Sequence, residues 1–211
     1  KWNPKTGLLL WGGILGLVAA ALAFMGNPGN MAFCIACFIR DIAGACKLHT
    51  AAAVQYMRPE IAGLAAGSFV ISLIGKEYRS TSGSSPMIRF LLGMVTMIGA
   101  LIFLGCPLRM VLRMAAGDWN AYVGLAGFVL GAATGCFFLK KGFSLGRAYD
   151  TRKESGYILP AILAVLLLLS ILTPLFAASA EGPGSMHAPV PASLAGGLIF
   201  GAAAQRSRTC F

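Results

Sequence analysis

The chain has 211 residues, of which 57% are hydrophobic and 11% charged, and its 17 basic and 7 acidic residues give a net charge of +10. An ordinary soluble domain is about one quarter charged, so this composition excludes a soluble enzyme domain. It also excludes a disordered chain, which requires low hydrophobicity and high charge. The remaining class is an all-α polytopic membrane protein, whose basic excess lies in cytoplasmic loops rather than on a surface for nucleic acid.

Six apolar runs predict about six membrane spans. They lie at residues 7–25, 60–75, 87–104, 120–139, 157–179 and 190–204. The second and sixth runs are short and rich in Gly and Ala, so we expect them to pack inside the helix bundle. The stretch 80–86, STSGSSP, is predicted to be a flexible loop.

Two further apolar stretches, 31–47 and 106–117, contain arginine and are shorter than the roughly 20 residues that a span requires. They are predicted to form short re-entrant half-helices. Such backbone is tolerated at membrane depth only where it is buried in protein or lines a cavity. The sequence therefore predicts that both half-helices are buried in the protein or line a cavity.

The basic residues predict the orientation of the chain. Ten of them precede the first run or lie in the loops at 76–89 and 140–156, whereas five lie in the segments on the opposite side. Because Lys and Arg accumulate in cytoplasmic loops, the N-terminus and these two loops are predicted to be cytoplasmic.

A weak internal sequence repeat predicts an inverted-repeat transporter architecture. A cysteine follows a small, polar turn after the first apolar run, at Cys34, and again after the sixth, at Cys210. Repeats with broken helices are typical of transporters. We expect one membrane domain, 1–211, with a first repeat at 7–139, a connecting span at 157–179 and the start of a second repeat at 190–211.

The sequence Gly105-Cys106-Pro107-Leu108-Arg109 predicts an anion-attracting helix start. Proline suits the first position of a helix, which places Cys106 at the N-cap, and glycine permits the sharp turn before it. Free backbone N–H groups at such an N-terminus attract anions. Arg109 and Arg113 are four positions apart and share one helix face. The alternative is that Cys106 is a buried cysteine that only packs.

The pair Cys34 and Cys37 leaves two interpretations open. A C-x-x-C pair is typical of redox or metal chemistry, but a second pair is missing from the sequence, so a metal site is not expected. Otherwise Cys34 faces a pathway and Cys37 packs. Asn30, just before this pair, can offer polar groups to an anion. Arg40 and Asp41 are predicted to form an internal salt bridge, and the alternative role of Arg40 is to guide an anion.

Three motifs carry a family resemblance. G-N-P-G-N-M-A-F-C-I-A-C-F-I-R-D, G-C-P-L-R-M-V-L-R and Q-R-S-R-T-C-F resemble the YeeE/YedE family, and their combination is most similar to the YedE branch, named for selenium metabolism. The family transports sulfur-containing ions across the bacterial inner membrane. Its members continue past a position like Phe211, so the resemblance implies either the N-terminal part of a longer protein or an unusual truncation.

The resemblance implies a function and a set of site residues. We expect multi-pass inner-membrane transport of a small selenium- or sulfur-containing ion, either a selenium species or a thiosulfate-like anion. The ion would pass along Cys34, Cys106 and Cys210 through S–H contacts. The predicted anion-attracting or supporting residues are Arg40, Arg109, Arg113, Gly105, Pro107, Asn30 and Cys37.

The remaining expectations concern chemistry and partners. The chain is not expected to be an enzyme, so no catalytic residue, cofactor or metal is assigned. The expected partners are the inorganic anion, the lipid bilayer and, by family analogy, a cytoplasmic sulfur-carrier-type protein, but no nucleic acid. One alternative function is a membrane thiol-redox or persulfide-handling protein. A third is a structural membrane subunit, in which cysteine substitutions are silent.

Overall fold

The computed structural model describes residues 4–83, 85–103, 105–144, 146 and 148–207, which are mostly helical. The helices are α1 (Pro4–Phe24), α2 (Ile35–Ala45), α3 (Pro59–Ile74), α4 (Pro86–Phe103), α5 (Pro107–Ala115), α6 (Trp119–Lys140), α7 (Ile158–Leu172) and α8 (Val190–Ser207). Two three-residue strands, β1 (Thr81–Gly83) and β2 (Ala148–Asp150), pair antiparallel. The all-α prediction is confirmed.

Within the described residues, five helical stretches are long and apolar enough to cross a membrane. They are Gly7–Phe24, Ala52–Ile74, Pro86–Ala115, Trp119–Lys140 and Lys153–Leu172. The sixth predicted span corresponds to α8, which is not among them. The protein therefore has helices that are long and apolar enough for a membrane protein, and the number of spans stays a prediction.

Helices α3 and α8 form the centre of the fold because glycines bring their backbones together. A Cβ atom at Gly63 or Gly67 would meet the backbone of Leu194 or Leu198, and one at Gly197 would meet the backbone of Glu60. Such small-residue contacts replace the hydrophobic effect as the basis of helix packing in lipid. The expectation that the two short, Gly- and Ala-rich runs pack inside the bundle is confirmed.

Helix α7 is shorter than the predicted run at 157–179, because it ends at Leu172. The reason is Pro174, whose ring disfavours helical backbone in the preceding residue. Thr173 accordingly has the extended dihedrals φ −134° and ψ 143°. Residues 173–189 then form a long connection, which we call the outer connector after its predicted orientation. The backbone N–H of Ala177 donates to Ala45 at the end of α2, and that of Gly184 donates to Ala53 between α2 and α3.

The loop predicted to be flexible at 80–86 instead contains β1. Thr81 is paired with Asp150 and Gly83 with Ala148, so the α3–α4 and α6–α7 loops form one small sheet. The hydroxyl groups of Ser80, Thr151 and Ser155 are hydrogen-bonded beside it. This pairing places the two basic loops on the same side of the molecule, as the charge distribution predicted.

Candidate functional site

The two short helices that were predicted as half-helices both begin at a cysteine. Cys34 is the N-cap of α2, with φ −74° and ψ 97°, and Cys106 is the N-cap of α5, with φ −81° and ψ 170°. Neither side chain caps its own helix, so each thiol is free to contact other groups. The positive ends of two helix dipoles therefore lie at these cysteines.

Three cysteines from the two helices meet in a group that we call the thiol cluster, Cys34, Cys37 and Cys106. The backbone N–H of Cys106 donates to Sγ of Cys34 at 3.3 Å, and the Cys34 thiol donates to Sγ of Cys37 at 2.9 Å. Cys34 and Cys37 are buried, whereas Cys106 is half-buried. The structure thus brings together two of the three predicted pathway cysteines.

The cluster lies against the hydrophobic core. Phe33 stacks on Phe200 of α8 with ring centroids 4.6 Å apart. Phe38 is fully buried in the same hydrophobic cluster as these two rings. These aromatic contacts hold the start of α2 against the central helix pair. The cysteines are therefore positioned by packed elements rather than by a mobile loop.

Arg109 connects the thiol cluster with the chain before it. Its Nη1 donates to Sγ of Cys37 at 3.2 Å, and its Nε and Nη2 donate to the backbone oxygen and Oδ1 of Asn30 at 3.0 and 3.1 Å. Cys37 lies outside the five possible spans. The pKa of its thiol is lowered by the hydrogen bond with Cys34 and, to a smaller extent, by the positive charge of Arg109.

Gly105 and Pro107 support the position of Arg109. Gly105 has φ +158°, and a Cβ atom there would lie 2.7 Å from Cδ of Arg109. Pro107 occupies the first position of α5, where its missing N–H costs nothing. Both predicted supporting residues therefore shape the turn that delivers the arginine.

A cavity of about 200 Å³ lies beside the cluster, and we call it the arginine cavity. It is lined by Pro28, Asn30, Met31, Arg40, Arg109 and Pro183. A water molecule occupies about 30 Å³ of liquid, so the cavity is large enough for a small oxyanion. Its two guanidinium groups make it suitable for a negatively charged ligand.

Arg40 also forms the predicted salt bridge with its neighbour Asp41, at 2.7 Å. Sequence analysis missed the second partner of Asp41, which is Arg58 at 2.9 Å, with both side chains fully buried. Arg58 also donates to the backbone oxygens of Pro183 and Met186 in the outer connector. One charged network therefore fixes α2, the start of α3 and the wall of the arginine cavity.

Arg113, predicted to attract the anion, is bound to the two neighbouring helices, at the end of α4 and at the N-cap of α6. Its Nε donates to Oδ2 of Asp118 at 2.8 Å, and its Nη1 donates to the backbone oxygen of Phe103 at 2.6 Å. The hydrogen bond from Arg113 lowers the pKa of the Asp118 carboxyl below its usual range. These contacts make Arg113 an anchor of α5, and Arg109 is the arginine that reaches the cluster.

The other cysteines have separate positions. Cys210 lies outside the described residues. Cys136 is exposed on α6, and the half-buried Cys46 has a thiol whose pKa is raised by burial. Among the described residues, no group of three or more His, Cys, Asp or Glu side chains is arranged to hold a metal ion.

Sequence analysis also missed Glu60, which lies fully buried at the start of α3. Its Oε1 accepts hydrogen bonds from Nδ2 of Asn27 at 2.8 Å and from Oγ of Ser193 at 3.0 Å. The available signal was the sequence Arg58-Pro59-Glu60, in which two charges flank a helix-starting proline before an apolar run.

Comparison of the chain with protein-family models, curated proteins and solved structures gave no match. The resemblance to the YeeE/YedE family consequently depends on the three sequence motifs alone. The structure adds that residues from the first two of these motifs, 72 positions apart, are in contact.

Proposed function

We propose that the protein moves a small sulfur- or selenium-containing anion across the membrane, along a pathway that passes the thiol cluster. One observation carries the proposal. Arg109 lines the arginine cavity and also contacts Sγ of Cys37, so a single cation connects a space for an anion with a group of thiols. No chemical conversion of the anion is part of the proposal.

The chemistry of the two parts suits a transported anion. Arg40 and Arg109 would attract the anion into the arginine cavity, where charge-assisted hydrogen bonds favour oxyanions. The thiol cluster would then offer weaker S–H donors and the N-termini of α2 and α5. Conduction requires binding that is favourable but releasable, and weak donors after a strong entry site fulfil this requirement.

The finer parts of the proposal come from the resemblance to the YeeE/YedE family. Cys210 would be the third pathway cysteine, beyond the thiol cluster. The membrane would be the bacterial inner membrane, with the N-terminus and the β1–β2 sheet in the cytoplasm, where a sulfur-carrier-type protein would be the partner. The six-span, inverted-repeat architecture and the choice between selenium and sulfur belong to the same proposal.

The test is uptake of radiolabelled thiosulfate and selenite into cells that lack their own carriers. We expect Cys34→Ala and Cys106→Ala to abolish uptake. Cys34→Ala removes the Sγ that contacts both Cys37 and the backbone N–H of Cys106, and Cys106→Ala removes the thiol at the N-cap of α5. Cys136→Ala is the matched control, since this cysteine is exposed on α6. Equal uptake by all variants at equal expression would reject the pathway, and the preferred label identifies the substrate.

The short distance between Cys34 and Cys37 favours a second candidate function, a membrane thiol-redox protein. Thiols 2.9 Å apart at a helix N-terminus are arranged for a reversible disulfide. Cys37→Ser separates the two candidates. Transport would persist in this variant, because a hydroxyl still fits beside Arg109, whereas redox turnover would be lost completely. Retained label uptake together with no disulfide in the wild type would remove the redox candidate.

A further inference from the structure

Glu60 is a buried residue whose carboxyl group has one oxygen without a hydrogen-bond partner in the described part of the chain. Its exposed fraction is 0%, and its Oε1 already accepts two hydrogen bonds, from Asn27 and Ser193. Among the described residues, Glu60 Oε2 is the one buried side-chain nitrogen or oxygen atom that lacks a hydrogen-bond partner. Such an atom is costly, and native proteins pair it with water or an ion.

The nearby cations are bound elsewhere. Arg58, two positions before Glu60, uses Nε for Asp41 and its two terminal nitrogens for the backbone oxygens of Pro183 and Met186. Arg40 also bonds to Asp41. Within the described parts of the chain, Glu60 therefore has no salt-bridge partner of its own.

We propose that Glu60 binds a small cation, either a proton or Na⁺, through Oε2. The carboxyl group lies where the segment after α1, the start of α3 and α8 meet. Nδ2 of Asn27 and Oγ of Ser193 both donate to its Oε1, which leaves Oε2 for a cation. Oxygen groups at broken helices inside a membrane are typical cation sites of transporters. An ionisable residue at such a position is expensive to retain without a function.

The cation site is connected to the anion site by a short piece of chain. Asn27 binds Glu60, Asn30 binds Arg109, and Cys34 belongs to the thiol cluster. Occupation of Glu60 thus sets the position of the segment that holds Arg109. If the proposed transport function holds, the bound cation offsets the charge of the anion, so the coupling role rests on that function whereas the binding site does not.

Other titratable groups surround the site, and a pH experiment must separate them from Glu60. Tyr56 lies beside Glu60 on the segment before α3, and its ring stacks on His187 of the outer connector at 4.3 Å. The other charged groups of this region are Arg40, Asp41 and Arg58. The segment after α1 and helix α8 contribute Asn27 and Ser193, and both of these side chains are uncharged.

The test is the thermal unfolding midpoint of the full chain in lipid nanodiscs, measured by tryptophan fluorescence. Na⁺ is varied at fixed pH and ionic strength, and pH is varied at fixed Na⁺. For a sodium site, the midpoint of the wild type rises by about 3–6 °C for each tenfold increase in Na⁺ above its dissociation constant. For a proton site, the midpoint falls by a similar amount for each unit of rising pH and does not depend on the Na⁺ concentration.

Glu60→Gln should remove whichever dependence the wild type shows, because the amide reproduces the neutralised carboxyl. Glu181→Gln, an exposed change in the outer connector, should retain it. A wild-type midpoint that is independent of both cations, or a dependence that Glu60→Gln leaves intact, would overturn the proposal. Thiosulfate binding measured on the same samples tests the anion site separately, so the two failures are distinguishable.

If Glu60→Gln does not fold, chemical labelling of the wild-type protein provides a second test. Dicyclohexylcarbodiimide reacts with buried carboxyl groups, and peptide mass mapping locates the product. We expect labelling of Glu60 in the wild type that decreases with added Na⁺ or with rising pH. Labelling that is absent, or that responds to neither, would count against a cation site.

Discussion

Nη1 of Arg109 lies 3.2 Å from Sγ of Cys37, although 72 positions separate the two residues in the sequence. This contact joins the second motif of the chain to the first. It also joins the arginine cavity to the thiol cluster, because Arg109 belongs to the lining of the cavity. This one side chain therefore places a cavity with two guanidinium groups next to the thiols.

Substitution of Arg109 should therefore weaken the binding of the anion. A charge-assisted hydrogen bond contributes about 1.5–3 kcal/mol, so Arg109→Gln is expected to raise the KM of uptake by about 10- to 100-fold. Arg109→Lys keeps the charge but loses the planar guanidinium group, whose separate nitrogens reach both Asn30 and Cys37. The KM of this variant should lie between those of the wild type and Arg109→Gln.

Uptake by membrane vesicles at several substrate concentrations measures this effect. Arg79→Gln is the control, because Arg79 forms an exposed ion pair with Asp150 beside the small sheet. A KM for Arg109→Gln equal to that of the wild type would show that the arginine cavity is not the entry site.

Gly105→Ala should disturb the same arginine without changing any charged group. The new Cβ atom would lie 2.7 Å from Cδ of Arg109, and the φ of +158° is unfavourable for alanine. We expect Arg109 to lose a hydrogen bond and uptake affinity to fall about tenfold. Gly93→Ala on α4 is the matched control, because a Cβ there meets no atom within 4 Å. Identical KM values for the two alanine variants would refute this role of Gly105.

Asp41→Asn should destabilise the folded protein, because Asp41 joins Arg40 and Arg58 in one charged network. It leaves Arg58 fully buried with a neutral partner, and breaking a buried ion pair costs about 3–5 kcal/mol. The exposed pair of Arg79 and Asp150 offers the comparison, because surface pairs contribute about 0–1 kcal/mol. Thermal unfolding of Asp41→Asn and Asp150→Asn in nanodiscs measures the difference, and equal midpoints for the two variants would contradict the buried network.

Much of this arrangement could be predicted from the sequence, because local signals start and end the helices. Pro107 after Cys106 predicted the start of α5, and the short apolar stretch after Cys34 predicted α2. The Gly- and Ala-rich runs likewise predicted the central pair, α3 and α8, since close helix contact requires small residues.

The parts that could not be predicted depend on contacts between distant residues. Arg58 bonds to Asp41 across 17 positions, and Glu60 meets Ser193 across 133 positions, which no local pattern encodes. Strands β1 and β2 have only three residues each, which is too short for an alternating pattern to be recognised. The contact of Cys37 with Arg109 is likewise made between residues far apart in the sequence. The prediction of Cys37 as a supporting residue therefore depended on its position near Cys34 alone.

The ion pair of Arg113 and Asp118 predicts a pH-dependent contribution to stability. Because the hydrogen bond from Arg113 lowers the folded-state pKa of Asp118, the folded protein binds fewer protons at this site than the unfolded chain. The stabilisation is therefore complete above the usual Asp pKa of about 3.9 and disappears as the pH falls through the lowered folded-state pKa. Asp118→Asn should accordingly unfold at a lower temperature than the wild type at pH 7, and the two midpoints should converge in acid. Arg113→Gln should also converge with the wild type in acid, because it removes the largest cause of the lowered pKa. A difference that stays constant across the pH range would contradict the ion pair.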